Sequence, residues 1–400
     1  MREIRVDVGA VPKSFHVNSN CVKSRELARA ATAPREILAL AARHLRAVAL
    51  EPRPAGGEAA ARARGYCAET LVSCGFRVRE RPFEYSALAG EYGTPLGGLV
   101  ALVVVCAGAA AGVWAHAGLS LGLLVVGVPV LVVSGQWLAR KGVLTLPAMR
   151  RRSVNLEAVR ADEDPPLWLV AHIDSKSQPV PLLVRAGGIV LLAAAWIAAL
   201  ALATAQLTRG VIFEWRWVVL AAGLGAIPVL ASTVGKRSVG AIDNASGVAT
   251  LLTLAGMLPP AAPIGILITD AEELGLAGAR AWCAGRSPGR AVNFDGLDDA
   301  GILTLMWTRP RSSRLEAVLR DAADAAVAPL RIVPLIPGVL VDAVALSDAG
   351  WEVVTLSRGT IGTLRRIHTR RDDGDALQGD GIAEAARVLM RAVNFFTEQA

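Results

Sequence analysis

Two of the five histidines in this chain stand, with several carboxylates, in loops that follow short apolar runs. His172 precedes Asp174 by two positions, and on an extended strand such positions point to the same side. Asp174 can therefore accept one ring N–H of His172 and leave the other ring nitrogen for a metal ion. The alternative is a buried core histidine beside a solvated aspartate. His-x-Asp alone does not decide between the two.

Asp243 begins a second motif, Asp-Asn-Ala-Ser-Gly, directly before an apolar helix. An aspartate at such a place is commonly an ordinary helix N-cap. The small residues that follow also let the backbone approach a bound ion closely. A carboxylate with two free oxygens can bridge two zinc ions about 3.5–4 Å apart.

Glu272 and Glu273 form a third motif at the end of the apolar run Ile264–Thr269. One carboxylate can bind a metal while the next takes the proton of the water that the metal activates. The alternative is an acidic first helical turn that the helix dipole favours. Asp295 closes another short apolar strand, and His368 lies in a loop before the last helix.

Taken together, these motifs resemble peptidase family M28, a group of zinc aminopeptidases and carboxypeptidases with two metal ions. The family carries His-x-Asp, Asp-Asn-x-Ser-Gly, Glu-Glu-x-Gly, Asn-Leu-Asp and a late His-Thr in this order. The corresponding segments are His172–Asp174, Asp243–Gly247, Glu272–Gly275, Asn293–Asp295 and His368–Thr369. The resemblance covers residues 35–90, 150–178 and 236–397.

The resemblance implies a role for each of these residues. His172 and Asp295 would bind one Zn²⁺, and Glu273 and His368 would bind the other. Asp243 would bridge the two ions. Asp174 would orient His172, and Glu272 would be the general base. Co²⁺ or Mn²⁺ can replace zinc in sites of this kind.

Two departures from the family pattern concern substrate preference rather than the metal ligands. Arg370 stands where the family often has proline after His-Thr, although Asp372 keeps an acidic position further on. The family's Ser-Asp-His segment is predicted to correspond to residues 347–349, where Ala349 replaces the histidine.

The soluble part of the sequence alternates strand and helix patterns. Alternating or apolar runs predict strands, and apolar residues at helical spacing predict helices. The resulting fold class is α/β, a three-layer α/β/α sandwich around a mostly parallel mixed sheet. Strands are predicted at Phe76–Tyr85, Ser153–Arg160, Leu167–Ala171, Ile264–Thr269, Val292–Phe294 and Val353–Leu356; helices are predicted at 35–50, 57–74, Ser246–Met257, Gly275–Ala284, Ser313–Ala326 and Ile382–Phe396.

Two transmembrane hairpins interrupt this pattern. Charged residues make up only 19% of the chain, and apolar residues make up 53%. No charged residue occurs from Gly93 to Ala139, which is long enough for two spans of about 20 residues. The uncharged runs Ala186–Thr208 and Trp217–Gly235 predict a second pair. The alternative is a set of buried core helices in a soluble protein.

These hairpins divide the chain into segments and suggest an orientation. Cations such as Arg140, Lys141, Arg185 and Lys236 flank the hairpins on one side, so both termini are expected in the cytoplasm, with the chain in the cell's inner membrane. Five scattered cysteines give no complete disulfide framework. The predicted segments are a flexible extension (1–33), peptidase parts (34–92, 140–185 and 236–400) and hairpins (93–139 and 186–235).

The expected activity is hydrolysis of peptide bonds, most simply by an aminopeptidase whose peptide or protein substrate arrives at the membrane surface. A glutaminyl-cyclase-like acyltransferase on the same fold is one alternative, and an inactive membrane receptor or scaffold is another. A transporter is disfavoured because the predicted spans carry no ionisable residue apart from His116 at a turn. Nucleic acid is not an expected partner, although the net charge is +7.

Overall fold

A computed structural model describes residues 34–160, 164–211, 213–336 and 338–397. The predicted extension, residues 1–33, lies outside these ranges. Within the described ranges, eight strands form one mixed sheet with helices on both faces, and four long or apolar helices form a separate bundle. The predicted three-layer α/β/α fold is confirmed.

The order of the strands across the sheet is β1-β2-β4-β3-β5-β8-β6-β7. β4, β3, β5 and β8 run parallel, so their carboxyl ends share one edge of the sheet, while β2 runs antiparallel to both of its neighbours, β1 and β4. Sequence patterns do not predict β6 and β7, which extend the sheet beyond β8. The strands are β1 (Arg77–Ser86), β2 (Arg150–Val159), β3 (Leu167–His172), β4 (Ile264–Thr269), β5 (Arg290–Leu297), β6 (Ile302–Trp307), β7 (Leu330–Pro334) and β8 (Glu352–Gly359).

The helices divide between the α/β unit and the bundle. In chain order they are α1 (Pro34–Val48), α2 (Glu58–Ser73), α3 (Leu88–Val113), α4 (Ala117–Trp137), α5 (Leu182–Arg209), α6 (Arg216–Leu230), α7 (Ser246–Met257), α8 (Ala277–Cys283), α9 (Ser313–Ala325), α10 (Asp342–Asp348), α11 (Ile361–Arg366) and α12 (Asp380–Thr397). α1, α2, α7, α9 and α12 cover one face of the sheet, α8 and α10 cover the other, and α3–α6 form the bundle.

The central strand β3 shows why its sequence is apolar throughout. Leu169 and Ala171 pack into the core on the side of α7, whereas Trp168 and Val170 pack into the core on the side of α8. Successive side chains of a strand point to opposite faces, so a strand covered on both faces needs apolar residues at every position. β3 therefore delivers His172 from the middle of the sheet to its edge.

Three bundle helices, α3, α4 continued to Thr145 through a π-helical turn, and α5, are long and apolar enough to cross a membrane. The fourth predicted span is shorter than expected. α6 has 15 residues, about 22 Å of helix, against a hydrocarbon core of about 30 Å. It ends at Leu230 because the chain must turn back, so that Gly235 can pair with Ser177 beside the catalytic loops.

Candidate active site

The residues singled out in the sequence meet at the carboxyl edge of the parallel strands. His172 ends β3, Glu272 and Glu273 follow β4, and Asp295 lies near the end of β5. The other two arrive on connecting segments. Asp243 lies in the turn before α7, and His368 lies just after α11.

Two groups of potential metal ligands share this edge. His172, Glu272 and Asp295 form one group, and Asp243, Glu273 and His368 form the other. Within each group the nearest ligand atoms all lie within 4.8 Å of one another.

Asp243 lies between the two histidines. Its Oδ1 is 3.2 Å from Nε2 of His172, and its Oδ2 is 2.9 Å from Nε2 of His368. Each oxygen of this carboxylate therefore faces one of the two groups, which is the arrangement that a bridging ligand requires.

Asp174 fixes His172 through its backbone rather than through its carboxylate. The Nδ1–H of His172 donates to the carbonyl oxygen of Asp174 at 3.1 Å, whereas the carboxylate lies 3.6 Å away. The carboxylate instead accepts the backbone N–H groups of Glu272 and Glu273, both at 3.1 Å. Asp174 thus connects the strand of His172 to the loop that carries the two glutamates.

The turn around Asp243 is held by side chains that bind its backbone. The carboxylate of Asp372 accepts the N–H of Ile242 at 2.7 Å and that of Asp243 at 3.2 Å. The amide of Asn244 donates to the carbonyl of Phe294 at 2.7 Å, which connects this turn to the strand of Asp295. A fixed backbone on both sides leaves the Asp243 carboxylate little freedom to turn away.

Two residues at the site adopt left-handed backbone conformations that residues other than glycine rarely adopt. Ala271, directly before Glu272, has φ 59°, and His368 has φ 60°. The carbonyl of His368 accepts the N–H of Gln178 at 2.8 Å. Strained conformations of this kind are retained where the surrounding structure requires them, commonly at functional sites.

Residues 154–393 match the model of peptidase family M28, which is 240 of the chain's 400 residues. This chain belongs to peptidase family M28. The predicted resemblance is confirmed, and the protein is a metallopeptidase, a hydrolase. No curated protein sequence gives a significant match to it.

Solved structures with a similar fold include both aminopeptidases and glutaminyl cyclases. A zinc aminopeptidase from Bacillus subtilis aligns at 13% identity over 91% of this chain and 96% of its own, with a TM-score of 0.53. The aminopeptidase from Aneurinibacillus sp. strain AM-1 aligns at 13% identity over 92% and 95%, with a TM-score of 0.54. A glutaminyl cyclase from Porphyromonas gingivalis aligns at 13% identity over 92% and 99%, with a TM-score of 0.51. At these identities the likeness shows the fold alone.

The residues of this M28 site fit zinc ions. Imidazole nitrogens and carboxylate oxygens are ligands that zinc accepts in proteins. Nε2 of His172, Oε1 of Glu273 and Nδ1 of His368 are buried, yet none of these atoms makes a hydrogen bond. Buried polar atoms are nearly always paired, so two of these atoms, His172 Nε2 and Glu273 Oε1, are well placed as metal ligands.

The electrostatics of the site agree with bound cations. Burial raises the pKa of Asp295 to about 8, and repulsion from Asp243 adds to the shift. Burial also raises the pKa of Glu272 well above its ordinary value, helped by Glu273 and opposed by His172. So many carboxylates are stable together as anions only when cations compensate them.

Asp342 is a residue that the sequence analysis missed. It is fully buried, one of its oxygens accepts the hydroxyl of Thr269, and burial raises its pKa to about 6. Asp348, in the segment 347–349, pairs with Arg140 and Arg280. The short helix α10 turns Asp342 inward and Asp348 towards the bundle. The only signal in the sequence was a carboxylate between two apolar neighbours, Val341 and Ala343.

Arg53 is a second residue that supports the site. Its side chain is fully buried, and it donates to the backbone carbonyls of Ile173 at 2.7 Å, Val239 at 2.8 Å and Gly240 at 3.0 Å. These carbonyls belong to the loops that carry Asp174 and Asp243. One guanidinium with its fork of donors thus holds together two separate parts of the site.

Proposed function

We propose that this M28 peptidase is a membrane-bound aminopeptidase that works with two Zn²⁺ ions. The observation that carries the proposal is the position of Asp243, whose two oxygens face His172 at 3.2 Å and His368 at 2.9 Å. His172 and Asp295 would hold one ion, and Glu273 and His368 the other, with Asp243 as the shared ligand.

Glu272 is the general base in this proposal. When bound, two zinc ions supply Lewis acidity that polarises the scissile carbonyl and makes water more acidic. Glu272 would accept the proton of the attacking water and return it to the leaving amine. Its Oε2 lies 3.9 Å from Nε2 of His172, close to the first metal position but with no lysine or arginine paired to it among the described residues. Burial, with the neighbouring Glu273, raises the pKa of Glu272, which makes it a stronger base towards the attacking water.

The membrane half of the proposal is supported by the bundle. Helices α3, α4 and α5 are long and apolar enough to cross a bilayer. Cations at Arg140, Lys141, Arg185 and Lys236 favour a cytoplasmic catalytic unit under the positive-inside rule. α6 would pack against these helices without crossing the full hydrocarbon core.

The base of the second hairpin reaches the site itself, which supports a substrate that arrives at the membrane surface. Five residues before α5, Ser177 exchanges two backbone hydrogen bonds with Gly235, at 2.9 and 2.7 Å. The next residue, Gln178, donates its N–H to His368. The chain thus leaves for the bundle within a few residues of a metal ligand.

The second candidate function is a glutaminyl-cyclase-like acyltransferase, because structures of such enzymes share the fold at similar TM-scores. Peptidase action is favoured by the presence of both ligand groups around Asp243. Because aminopeptidases are among the structures of similar fold, release of N-terminal residues is favoured for this chain over carboxypeptidase action. An inactive scaffold is disfavoured because the described residues supply every predicted ligand.

The proposal can be tested on the full chain purified in detergent with added Zn²⁺. Matched peptides with a free or an acetylated N-terminus, and one with N-terminal glutamine, are incubated with the protein. We expect release of the N-terminal residue from free-amine peptides only, with close to two zinc ions per chain. Formation of pyroglutamate with one zinc ion per chain would favour the acyltransferase, and cleavage of blocked peptides alone would exclude an aminopeptidase.

A further inference from the structure

The ligand Glu273 is shared between the metal site and a lysine. Its Oε1 lies 3.4 Å from Nε2 of His368, while its Oε2 contacts the ammonium of Lys176 at 2.5 Å. Both side chains are shielded from solvent, with 17% of Lys176 and 5% of Glu273 exposed. One of the proposed ligands of the second metal position therefore already carries a cation.

Lys176 is held in place by its neighbours along the chain. Ser175 donates its N–H to the carbonyl of Arg53 at 2.8 Å, and Ser177 pairs with Gly235 on the other side. The backbone on both sides of Lys176 is therefore fixed. The ammonium can leave Glu273 only by a change of side-chain rotamer within a buried environment.

Within the described ranges, the first metal position has no cation in direct contact with its ligands, although the charge of Lys176 also acts on Glu272 and Asp243 from a greater distance. The groups around His172 are the carboxylates of Asp174, Asp243, Glu272 and Asp295, between 3.2 and 4.0 Å from its ring nitrogens. Among the described residues, no lysine or arginine is paired with Glu272 or Asp295. The two positions share Asp243 but differ in the charge that surrounds them.

This difference affects metal binding in a definite direction. Partners that orient metal ligands are usually carboxylates or carbonyls, and their loss typically weakens metal binding about 10–100-fold. An ammonium has the opposite sign, repels a divalent ion strongly where water is excluded, and competes for the same carboxylate. The repulsion of a dication by a fixed cation outweighs the orientation that the hydrogen bond provides.

We propose that Lys176 makes the two metal positions unequal. The position of His172 and Asp295 fills first, and the position of Glu273 and His368 fills with an affinity at least about tenfold lower. This inference rests on the two-zinc function proposed above. It assigns Lys176 a positioning role that limits occupancy of the second site when zinc is scarce.

The test is a titration of the metal-free full chain in detergent with Zn²⁺, followed by calorimetry. We expect two binding events in the wild-type protein, separated by at least about tenfold in affinity. Lys176→Met should strengthen the weaker event by a similar factor and leave the stronger one unchanged. Lys176→Arg keeps the charge and should keep the inequality. Lys236→Met removes an exposed lysine near the same hairpin and serves as the matched control.

Two results would overturn the inference while leaving the two-zinc function intact: equal affinities in the wild-type protein, or a weaker second event in Lys176→Met. Saturation of every variant at one zinc ion per chain would instead overturn the two-zinc function, and this inference with it. If Lys176→Met does not fold, as judged by its thermal transition, Lys176→Gln carries the same expectation. Release of zinc by a chelator, measured with a colour indicator, gives a second readout independent of activity.

Discussion

The α/β unit buries large aliphatic side chains between its helices and sheet, whereas the bundle of α3–α6 buries mostly small residues and turns most of its large aliphatic ones outward. In the α/β unit Leu169, Leu252 and Ile266 are fully buried. In the bundle the contacts between helices are made mostly by alanines and glycines, with a few large side chains such as Leu124 and Trp196, while Ile197 and Val190 are each 68% exposed. The bundle therefore has the apolar outer surface that suits lipid, whereas the α/β unit has the apolar core of a protein in water.

This difference between the buried residues of the two regions has a physical reason. In water, aliphatic side chains gain free energy when they are buried, so they collect in the core. Lipid is as apolar as leucine, so helices in a bilayer associate instead through close packing of small residues. Gly98, Gly112 and Gly225 illustrate this, since a Cβ at each would lie within 2.7 Å of an atom of another helix or of Trp215.

One place where the two regions meet is a small cluster, which we call the junction: Tyr85, Ala87, Val143, Ala271, Leu274 and Ala277. At the junction the first turn of α3 lies against the loop that carries Glu272 and Glu273. A Cβ at Gly90 would lie 2.2 Å from Cα of Leu274, one residue beyond Glu273. The bundle is thus a direct support of the catalytic loop.

The largest effect is expected from a charge placed on the outer face of the bundle. Ile197→Arg should cost about 2.5–3.5 kcal/mol and sharply reduce recovery from membranes, because Ile197 lies deep within α5. Val72→Arg, on a helix of the α/β unit where Val72 is 58% exposed, should change stability by less than about 0.5 kcal/mol. Equal tolerance of the two substitutions, measured as membrane yield and Tm, would remove the distinction between the two regions.

The next effect concerns the junction. Gly90→Ala should push the backbone at Leu274, destabilise the protein by about 1–3 kcal/mol and reduce zinc content. Gly93→Ala, on the same helix with open space around its Cβ, should leave zinc content unchanged. Thermal unfolding and zinc analysis measure both variants. Normal zinc content in Gly90→Ala would show that the bundle does not support the loop.

A smaller effect separates buried amides in the two regions. Asn155 donates to the carbonyl of Gly278 at 2.8 Å and accepts the N–H of Asp270 at 3.0 Å, so Asn155→Ala should cost about 1–3 kcal/mol. Gln206 in the bundle donates to the carbonyl of Gly112 at 2.7 Å and accepts the indole N–H of Trp215 at 3.2 Å, and Gln206→Ala should cost only about 0.6 kcal/mol for each of these bonds. Denaturation midpoints compare the two, and a larger loss for Gln206→Ala would reverse the expected order.

The smallest effect is expected at the edge of the junction. Asp348 pairs with Arg140 of the bundle at 3.0 Å and with Arg280 of the α/β unit at 3.1 Å. Because exposed ion pairs contribute little, Asp348→Asn should cost less than about 1 kcal/mol and leave zinc binding intact. Asp324→Asn, at an exposed position on α9, is the control. A loss of activity in Asp348→Asn alone would mean that this contact matters for catalysis.

The sequence predicted the α/β unit and the convergence of its site well, because the motifs of His172, of Glu272 and Glu273, and of Asp295 each lie at or near the end of a parallel strand, and these ends share one edge of the sheet. The same local patterns did not predict β6 and β7, which lie beyond β8 and depend on pairing with distant strands. They also predicted α6 to extend further than it does, because its end is set by the pairing of Gly235 with Ser177, 58 positions away in the chain. Contacts between distant segments cannot be deduced from local periodicity.

Within the site, the potential ligands were predictable and their supports were not. His172, Asp243 and Glu273 stand in recognisable motifs. Lys176, Arg53 and Asp342 belong to no such pattern, and their roles follow only from where the chain brings their side chains. Asp174 shows the same limit, since its carboxylate binds the backbone of Glu272 and Glu273 rather than the ring of His172.

The central claim is that Glu272 transfers the proton in a hydrolysis supported by zinc, and its most direct test is Glu272→Gln. The substitution keeps the shape of the side chain but removes its ability to accept a proton. We expect unchanged zinc content and a loss of turnover on free-amine peptides of about 10²–10⁴-fold. Hydrolysis at the wild-type rate, with zinc bound, would contradict the account.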